Sequence, residues 1–276
     1  MNHTVSQTPI PNIVAVIPAR YASSRLPGKP LLKIAGRAMI LHVLERALAA
    51  DCISRAFVAT DDERIYNVVR AAGHDALMTG TEHASGTDRI AEAASLIEDA
   101  DIIVNVQGDE PLIAPATIDR AVQALLEDET SSVSTTCEAI ESAADVLSAD
   151  VVKVVTDVRG HALYFSRSPV PLPREAVRRH GSLASALDAE PQLVAFFRKH
   201  TGLYVYRRSF LLEYARWPQT PLERAESLEQ LRILEHGHRI RVVEAASVSI
   251  GVDTEDDLRR VRDMLETATD TEEQDA

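Results

Sequence analysis

The sequence predicts an α/β fold built on a mostly parallel sheet, and two observations predict it. Short β-branched runs alternate with stretches whose apolar residues recur at helical spacing, and single helices separate successive strands. Strands joined in this way form right-handed βαβ units, which place helices on both faces of a Rossmann-like sheet. With 276 residues, 45% of them hydrophobic, the chain can bury the core of a single domain covering residues 1–276. The apolar fraction excludes a disordered chain.

The first half of the chain carries the clearest alternation. Residues 13–17 (IVAVI) and 101–106 (DIIVNV) are short, apolar and β-branched, which is typical of buried strands. Residues 115–126 repeat apolar side chains at helical spacing behind Pro115, a residue favoured in the first turn of a helix. The complete series predicts strands at 13–17, 56–59, 76–78, 101–106 and 133–136, and helices at 39–50, 62–72, 87–97 and 115–126.

From residue 151 the pattern changes to that of a β-rich insertion, which we place at about 151–206. β-Branched runs flank the turn residues 157–160, which predicts an antiparallel hairpin. The Pro- and Ala-rich stretch 168–191 is predicted to be irregular, and the acidic tail 267–276 to be disordered. The remaining predicted elements are strands at 151–155, 161–165, 202–206 and 240–244, and helices at 209–214, 222–235 and 255–265.

Charge is distributed unevenly along this acidic chain, whose formal net charge is −13. No acidic residue precedes Glu45, whereas five basic ones do: Arg20, Arg25, Lys29, Lys33 and Arg37. A local positive field beside an acidic body suits a small anion such as a nucleotide or phosphate. A nucleic-acid-binding protein would need a broad basic surface, so that class is disfavoured.

Cysteine content and segment composition favour a cytoplasmic protein. Cys52 and Cys137 lie far apart and have no neighbours at zinc-ligand spacing, so they predict core thiols in a reducing compartment. No targeting segment is predicted, because the N-terminus lacks a basic region followed by an apolar one, and no membrane span is predicted, because no stretch approaches about 18 uninterrupted apolar residues.

The loop after the first strand is the candidate phosphate site. Glycine spacing excludes both the G-x-G-x-x-G fingerprint and the Walker A loop, so a nucleotide would have to be bound by side-chain cations. The loop supplies Arg20, Arg25 and Lys29, and Ser23 can donate to phosphate oxygens. Because these cations crowd one another, replacing Arg25 or Lys29 by alanine should leave the melting temperature of the ligand-free protein unchanged or higher.

Two carboxylates follow predicted strands and are candidates for a metal site. Asp109 lies just after the strand at 101–106, and Asp253 follows the strand at 240–244. Ligands of open parallel sheets bind at the carboxyl ends of the strands, and Mg²⁺ prefers carboxylate, phosphate and water oxygens. Helix or turn capping is the alternative role for each aspartate. We expect Mg²⁺ as the cofactor, and we assign Glu110 an orienting role.

Residues 17–30 (IPARYASSRLPGKP) resemble the signature loop of the sugar nucleotidyltransferases, and in particular that of the 3-deoxy-manno-octulosonate cytidylyltransferase family. The segment 246–250 (ASVSI) departs from this family's pattern, which has Pro-Gly-Thr before the glycine at 251, and the stretch 168–199 is several residues longer than usual. Further similar motifs follow in the same order along the chain, at 83–89 (HASGTDR), 104–111 (VNVQGDEP), 164–167 (YFSR), 200–204 (HTGLY), 228–232 (LEQLR) and 251–254 (GVDT).

The resemblance implies an enzyme that transfers CMP from CTP to 3-deoxy-D-manno-octulosonate (Kdo), releasing pyrophosphate, for lipopolysaccharide synthesis. It also implies a homodimer formed through the insertion. The catalytic residues would be Arg25, Lys29, Asp109 and Asp253, with the two aspartates binding the metal. The nucleotide would contact Pro18, Ala19, Arg20, Ser23, Arg25, Lys29, Ser85, Gly86 and Gln107. The sugar acid would contact Arg167, His200, Tyr204, Glu229 and Gln230.

Three alternatives remain beside this function. The first is a cytidylyltransferase for another sugar acid, such as sialic acid. The second is a non-catalytic nucleotide-binding regulator, which would not need Asp109 and Asp253. The third, a dehydrogenase, is disfavoured by the missing glycine fingerprint.

In the favoured reaction the sugar hydroxyl attacks the α-phosphorus in line, and no protein nucleophile is needed because positioning and charge neutralisation lower the barrier.

Overall fold

The structure is a computed structural model that describes residues 11–22, 26–83 and 85–274. Ser23 and Arg25, two of the predicted nucleotide-binding residues, lie outside the described residues. The strands are β1 (Ile13–Ala19), β2 (Lys33–Ile34), β3 (Arg37–Ala38), β4 (Arg55–Thr60), β5 (Asp75–Met78), β6 (Ile102–Asn105), β7 (Val133–Ala139), β8 (Lys153–Thr156), β9 (Ala162–Ser166), β10 (Arg198–Arg207) and β11 (Ile240–Glu244).

Helices connect most of these strands. They are α1 (Met39–Leu48), α2 (Glu63–Ala71), α3 (Gly86–Leu96), α4 (Pro115–Glu127), α5 (Ala143–Leu147), α6 (Arg174–His180), α7 (Leu183–Ala189), α8 (Arg208–Tyr214), α9 (Pro221–Glu226), α10 (Gln230–Glu235) and α11 (Glu255–Gln274). None of the helices among the described residues is long and apolar enough to cross a membrane.

The central sheet has the strand order β11-β7-β10-β6-β1-β4-β5. β1 pairs in parallel with β4 and β6, β4 with β5, and β7 with β11. Only β10 breaks this pattern along the order, because it runs antiparallel between β6 and β7. The predicted fold class, a mostly parallel sheet flanked by helices, is therefore confirmed.

Two apolar layers cover the faces of the sheet. On one face α1 and α4 pack their buried side chains, such as Leu44 and Ile118, against β1 and β6. On the other face α3, α8 and α10 bury Ile90, Phe210 and Leu231 against the same sheet. Because both faces are covered, β1 and most of β6 are apolar along their length, which is why their sequences lack alternation.

The insertion has more regular structure than the sequence predicts. The expectation of an irregular stretch at 168–191 is wrong, since α6 and α7 form there and share a small core with α5. Gly181, with a φ of 83°, ends α6 in the left-handed conformation, and the Ser182 side chain then caps α7 by accepting from the Ser185 amide at 3.0 Å. The frequent prolines of this stretch favoured an irregular structure over the helix end at Gly181 and the helix cap at Ser182.

Two helix boundaries also differ from the prediction. The single helix predicted at 222–235 is two helices, α9 and α10, because Ser227 adopts a φ of 53° between them. α11 extends to Gln274, so the predicted disordered tail is helical over most of its length, consistent with the absence of Gly and Pro from residues 267–274. Residues 275–276 lie outside the described ones.

Candidate active site

A cleft of about 380 Å³ opens where β1 and β6 end. This is the carboxyl edge of the parallel sheet, where the sequence predicts the site. It is lined by Pro18, Ala19, Arg20, Ala22, Lys29, Pro30, Gln107, Gly108, Asp109 and Asp253. Seven of the predicted site residues therefore share one cavity, and they come from three distant parts of the chain.

Close approach of two strand ends forms the floor of this cleft. A side chain at Gly108 would place its Cβ 2.6 Å from the Pro18 carbonyl oxygen, well inside contact distance. Glycine thus lets the backbone leaving β6 lie directly against the end of β1. As a consequence, Asp109 is held beside the loop that carries Arg20 and Lys29.

The Lys29 ammonium lies between the two candidate metal carboxylates. Its Nζ donates to Asp109 Oδ2 at 2.7 Å, to Asp253 Oδ1 at 3.2 Å and to the Val252 carbonyl at 2.9 Å. The Lys29 side chain is only 15% exposed, so these contacts are largely shielded from solvent. Both carboxylates therefore converge on one position that already accommodates a cation.

The backbone path into Asp253 is well defined although the segment before it lacks Pro-Gly-Thr. The Val252 amide donates to the Asp109 carbonyl at 2.8 Å, and the Val252 side chain is fully buried in a cluster with Ile34 and Leu258. On the other side, Asp257 Oδ2 accepts from the Thr254 amide at 2.9 Å at the start of α11. Asp253 is thus fixed between a buried residue and a helix cap.

This donor set fits a magnesium ion. Asp109 and Asp253 each present an oxygen to the same point, and Mg²⁺ typically takes one or two carboxylates and completes its shell with water and substrate phosphates. Among the described residues no group of three or more His, Cys, Asp or Glu side chains could hold a metal. The pair therefore resembles a site shared with a substrate and not a closed structural site.

Arg20 joins the first loop to the predicted base-binding loop. Its Nη2 donates to the carbonyls of His83 and Ser85, at 2.7 and 2.9 Å. Ser85 caps α3 through a reciprocal pair of hydrogen bonds with Asp88, and Gly86 lies against the Pro18 ring. Ser85 and Gly86 are therefore brought to the rim of the cleft, whereas Arg20 has a bridging role that the sequence did not predict.

Gln107 connects the cleft to the predicted sugar-binding residues. Its Nε2 donates to the Gly202 carbonyl at 2.8 Å, where the register of β10 shifts between His200 and Tyr204. A Cβ at Gly202 would lie 2.7 Å from Gln107 Cγ, so this contact requires glycine. The rings of His200 and Tyr204 lie 5.3 Å apart beyond it.

His200 is an uncharged group in this setting. Burial lowers its pKa to about 3, so the imidazole is neutral at physiological pH. His200 Nε2 and Thr135 Oγ1 are 2.9 Å apart, within hydrogen-bond distance. A neutral imidazole can bind sugar hydroxyls, but it does not supply a positive charge for a carboxylate.

Arg167 is held against backbone carbonyls and does not line the cleft. Its Nε donates to the Glu226 carbonyl at 2.8 Å and its Nη1 to the Ala149 carbonyl at 3.0 Å. The Glu226 carboxylate in turn accepts from the Arg167 amide at 2.9 Å. In this conformation the guanidinium joins the insertion to the end of α9.

The two remaining sugar-site candidates lie near the start of α10. Glu229 accepts a hydrogen bond from Thr87, in the first turn of α3, and Gln230 is buried. Glu229 is close enough to Tyr204 to raise the pKa of that phenol, after the larger effect of burial. Glu229 is therefore joined to the base-binding loop through Thr87.

Several charged residues of this region were not predicted. The buried Arg89 guanidinium bonds Asp61 at 2.6 Å and also Thr79, which ties together the loops after β4 and β5. Glu138, at the end of β7, is 5% exposed and pairs with Lys199 on β10 at 2.8 Å. Glu138 stands in a strand whose residues, VSTTCEA, are mostly polar, so no signal in the sequence marked it.

Glu110 follows Asp109 in the turn after β6, where its amide donates to the Gln107 carbonyl at 3.2 Å. Burial raises the pKa of its carboxyl to about 7, and the Asp109 and Glu138 carboxylates act in the same direction. The nearby Ser249 hydroxyl and Lys199 ammonium favour the charged form. The orienting role of Glu110 stays a prediction.

Cations and carboxylates converging at the carboxyl edge of a parallel sheet define a nucleotide-binding α/β protein. Residues 14–240 match the protein family described as Cytidylyltransferase. The chain belongs to the cytidylyltransferase family, which confirms the resemblance found in its motifs.

Curated relatives and solved structures agree with this assignment. The chain is 53% identical over 253 residues to the 3-deoxy-manno-octulosonate cytidylyltransferase of Trichlorobacter lovleyi, covering 92% of this chain and 98% of that protein. It is 54% identical over 254 residues to the enzyme of the same name from Geobacter sulfurreducens, covering 92% and 99%. A solved structure of CMP:2-keto-3-deoxy-manno-octonic acid synthetase complexed with CTP superposes with a TM-score of 0.82 at 44% identity, over 93% of this chain and 99% of that one.

Proposed function

We propose that the protein transfers CMP from CTP to Kdo, giving CMP-Kdo and pyrophosphate. The observation that carries the proposal is the convergence of Lys29, Asp109 and Asp253 at a cleft also lined by Arg20. Such a cleft suits a triphosphate with its counter-cation. The printed names of the relatives and the CTP in the similar structure support cytidine as the nucleoside and Kdo as the acceptor.

The residues of the cleft can perform this transfer by positioning and neutralisation. Lys29 is held by carboxylates within reach of a bound phosphate chain, and Arg25 would add a second cation from the same loop. Arg20 keeps the base-binding loop against the first loop, so the nucleotide enters a preformed cleft. Gln107 fixes β10, which carries His200 and Tyr204, and thereby sets the distance between nucleotide and acceptor.

We further propose Mg²⁺ as the cofactor, held by Asp109 and Asp253. When bound, it supplies positive charge that neutralises the triphosphate and favours ionisation of the attacking hydroxyl. Excess EDTA should abolish product formation, because two carboxylates and a triphosphate repel one another without a cation, and added Mg²⁺ should restore it. Full turnover in the chelator would refute this cofactor assignment.

The function itself is tested by pyrophosphate release from CTP and Mg²⁺, with Kdo and sialic acid supplied in parallel reactions. We expect release with Kdo and little with sialic acid, since a site that hydrogen-bonds one set of hydroxyls leaves buried groups unpaired with another. UTP in place of CTP serves as the nucleotide control. Equal rates with both acids would favour the broader sugar-acid alternative, and CTP binding without any release would favour a regulator.

We also propose that the enzyme works as a homodimer in the cytoplasm and supplies lipopolysaccharide synthesis. The insertion carries an apolar groove of about 480 Å³ beside Leu172 and Phe196, which are 58% and 63% exposed. Large exposed apolar side chains around one groove are typical of an interaction surface. Sedimentation of the wild type and of Phe196→Asp measures this association, and a monomeric wild type would contradict it.

A further inference from the structure

Glu138 is a buried carboxylate that the proposed reaction does not use. It lies at the end of β7, opposite Lys199 in the register of β10, and its Oε2 is 2.8 Å from Lys199 Nζ. Its other oxygen, Oε1, accepts from the backbone amide of Ser249 at 3.0 Å. The charge of Glu138 is thus balanced within the sheet, while its second oxygen holds a residue of a distant loop.

That loop, residues 246–251, connects β11 to Asp253. At its start the Ala246 amide donates to Thr117 Oγ1 at 3.0 Å, and after its end the Val252 amide donates to the Asp109 carbonyl. Between residues 247 and 251, the Ser249 amide makes the only backbone hydrogen bond found within the described part of the chain. Val248 is 60% exposed, whereas Ile250 is partly buried against the cluster around Val252, so packing holds the end of this loop but not its middle.

We infer that Glu138 is a positioning residue for the cation site, and that it acts through the 246–251 loop on Asp253. A hydrogen bond to a carboxylate is stronger than one to a neutral acceptor, so it can order the exposed middle of the loop around Val248. Without this hydrogen bond, the loop would have to become ordered at the moment the cation binds. The free-energy cost of that ordering would weaken the apparent affinity of the site for the cation. The inference rests on the proposed function, because it takes Asp109 and Asp253 as the cation ligands.

The test compares the Mg²⁺ dependence of three variants with that of the wild type. Two readouts are used: the Mg²⁺ concentration that gives half-maximal activity at saturating CTP and Kdo, and the Mg²⁺-dependent rise in melting temperature with CTP alone. Glu138→Ala should need about 10-fold more Mg²⁺ in both, as is typical when a group supporting a metal ligand is lost. Glu138→Gln keeps an oxygen that can accept from Ser249, but as a neutral and therefore weaker acceptor, so its Mg²⁺ requirement should lie between that of the wild type and that of Glu138→Ala.

Asp128→Ala is the matched control. Asp128 also pairs with a basic side chain, His161 at 2.7 Å, and accepts from a backbone amide, that of Thr130 at 2.9 Å. It caps the end of α4 and precedes β7, whereas Glu138 lies near the other end of that strand, so its loss should lower stability without changing the Mg²⁺ requirement. This variant separates positioning from general destabilisation.

A wild-type Mg²⁺ requirement in Glu138→Ala would overturn the inference. The same Mg²⁺ requirement in Asp128→Ala as in Glu138→Ala, higher than that of the wild type, would also overturn it. If Glu138→Ala does not fold, Glu138→Asp decides, because it keeps the charge for Lys199 but is too short to hold Ser249, and it should show the same 10-fold shift. Failure of the proposed function gives a different result, because the wild type itself would then release no pyrophosphate from CTP and Kdo. Failure of the cofactor assignment would appear as wild-type turnover without Mg²⁺.

Discussion

Replacing Asp109 by asparagine should lower kcat/KM about 10²- to 10³-fold and leave the protein folded. The substitution keeps the size of the side chain but removes the charge that lies 2.7 Å from Lys29 Nζ. Asp109 is about one-third exposed at the mouth of the sheet and contributes little to the core, so the free energy of unfolding should change by about 1 kcal/mol or less. Steady-state kinetics and thermal unfolding of the same preparation measure the two effects.

A matched control for this variant lies at the other end of the same strand. Asp101 directly precedes β6, whereas Asp109 follows it, and Asp101 accepts from the Asn12 amide at 2.8 Å. Asp101→Asn keeps an accepting oxygen and is remote from the cleft, so its kcat/KM should equal that of the wild type. If both variants lost activity and stability together, Asp109 would be a structural residue and the metal assignment would fail.

The sequence predicted the sheet well because its strands are buried on both faces. β1 and β6 are short apolar runs, and their helices follow a 3.6-residue period, so both element type and order were readable. The break at Ser227 and the helices α6 and α7 were missed because they depend on single backbone conformations. The central place of β10 was beyond sequence reasoning, since pairing between distant strands leaves little local signal.

Some residues of the predicted site could be placed from the sequence and others could not. Residues that follow strands, such as Asp109 and Lys29, could be placed at the sheet edge from the general geometry of parallel sheets. The roles of Arg20 and Arg167 could not, because a guanidinium can reach many partners and here both bind backbone carbonyls. Arg89 and Glu138 were missed because their partners are far away in sequence.

Lys29→Ala should cost about 2–5 kcal/mol of transition-state stabilisation, as does the loss of one partner from a shielded charge pair. Lys29 is 15% exposed and lies at the meeting point of both carboxylates, so its loss removes a cation from both of them at once. Stabilisation of the protein by CTP should decrease in the same variant. Arg25→Ala is expected to behave similarly, although Arg25 lies outside the described residues.

The structure reverses the sign of one expectation for this variant. Crowded cations in the sequence predicted an unchanged or higher melting temperature for Lys29→Ala, but Lys29 in fact contacts two carboxylates at 2.7 and 3.2 Å. Its removal leaves Asp109 and Asp253 facing each other, so the ligand-free protein should lose up to about 1 kcal/mol after solvent screening. For a chain of this size that lowers the melting temperature by about 2–4 °C.

Lys33→Ala is the control that distinguishes a specific clamp from a general effect of positive charge. Lys33 belongs to the same acid-free N-terminal region, but it is exposed on β2 and does not line the cleft. Its replacement removes the same charge, so kcat/KM and CTP-induced stabilisation should remain those of the wild type. Equal losses in Lys33→Ala and Lys29→Ala would mean that the cations act only through their summed field. Wild-type turnover in Lys29→Ala would instead exclude Lys29 from the reaction, and the two carboxylates would then have to be explained without it.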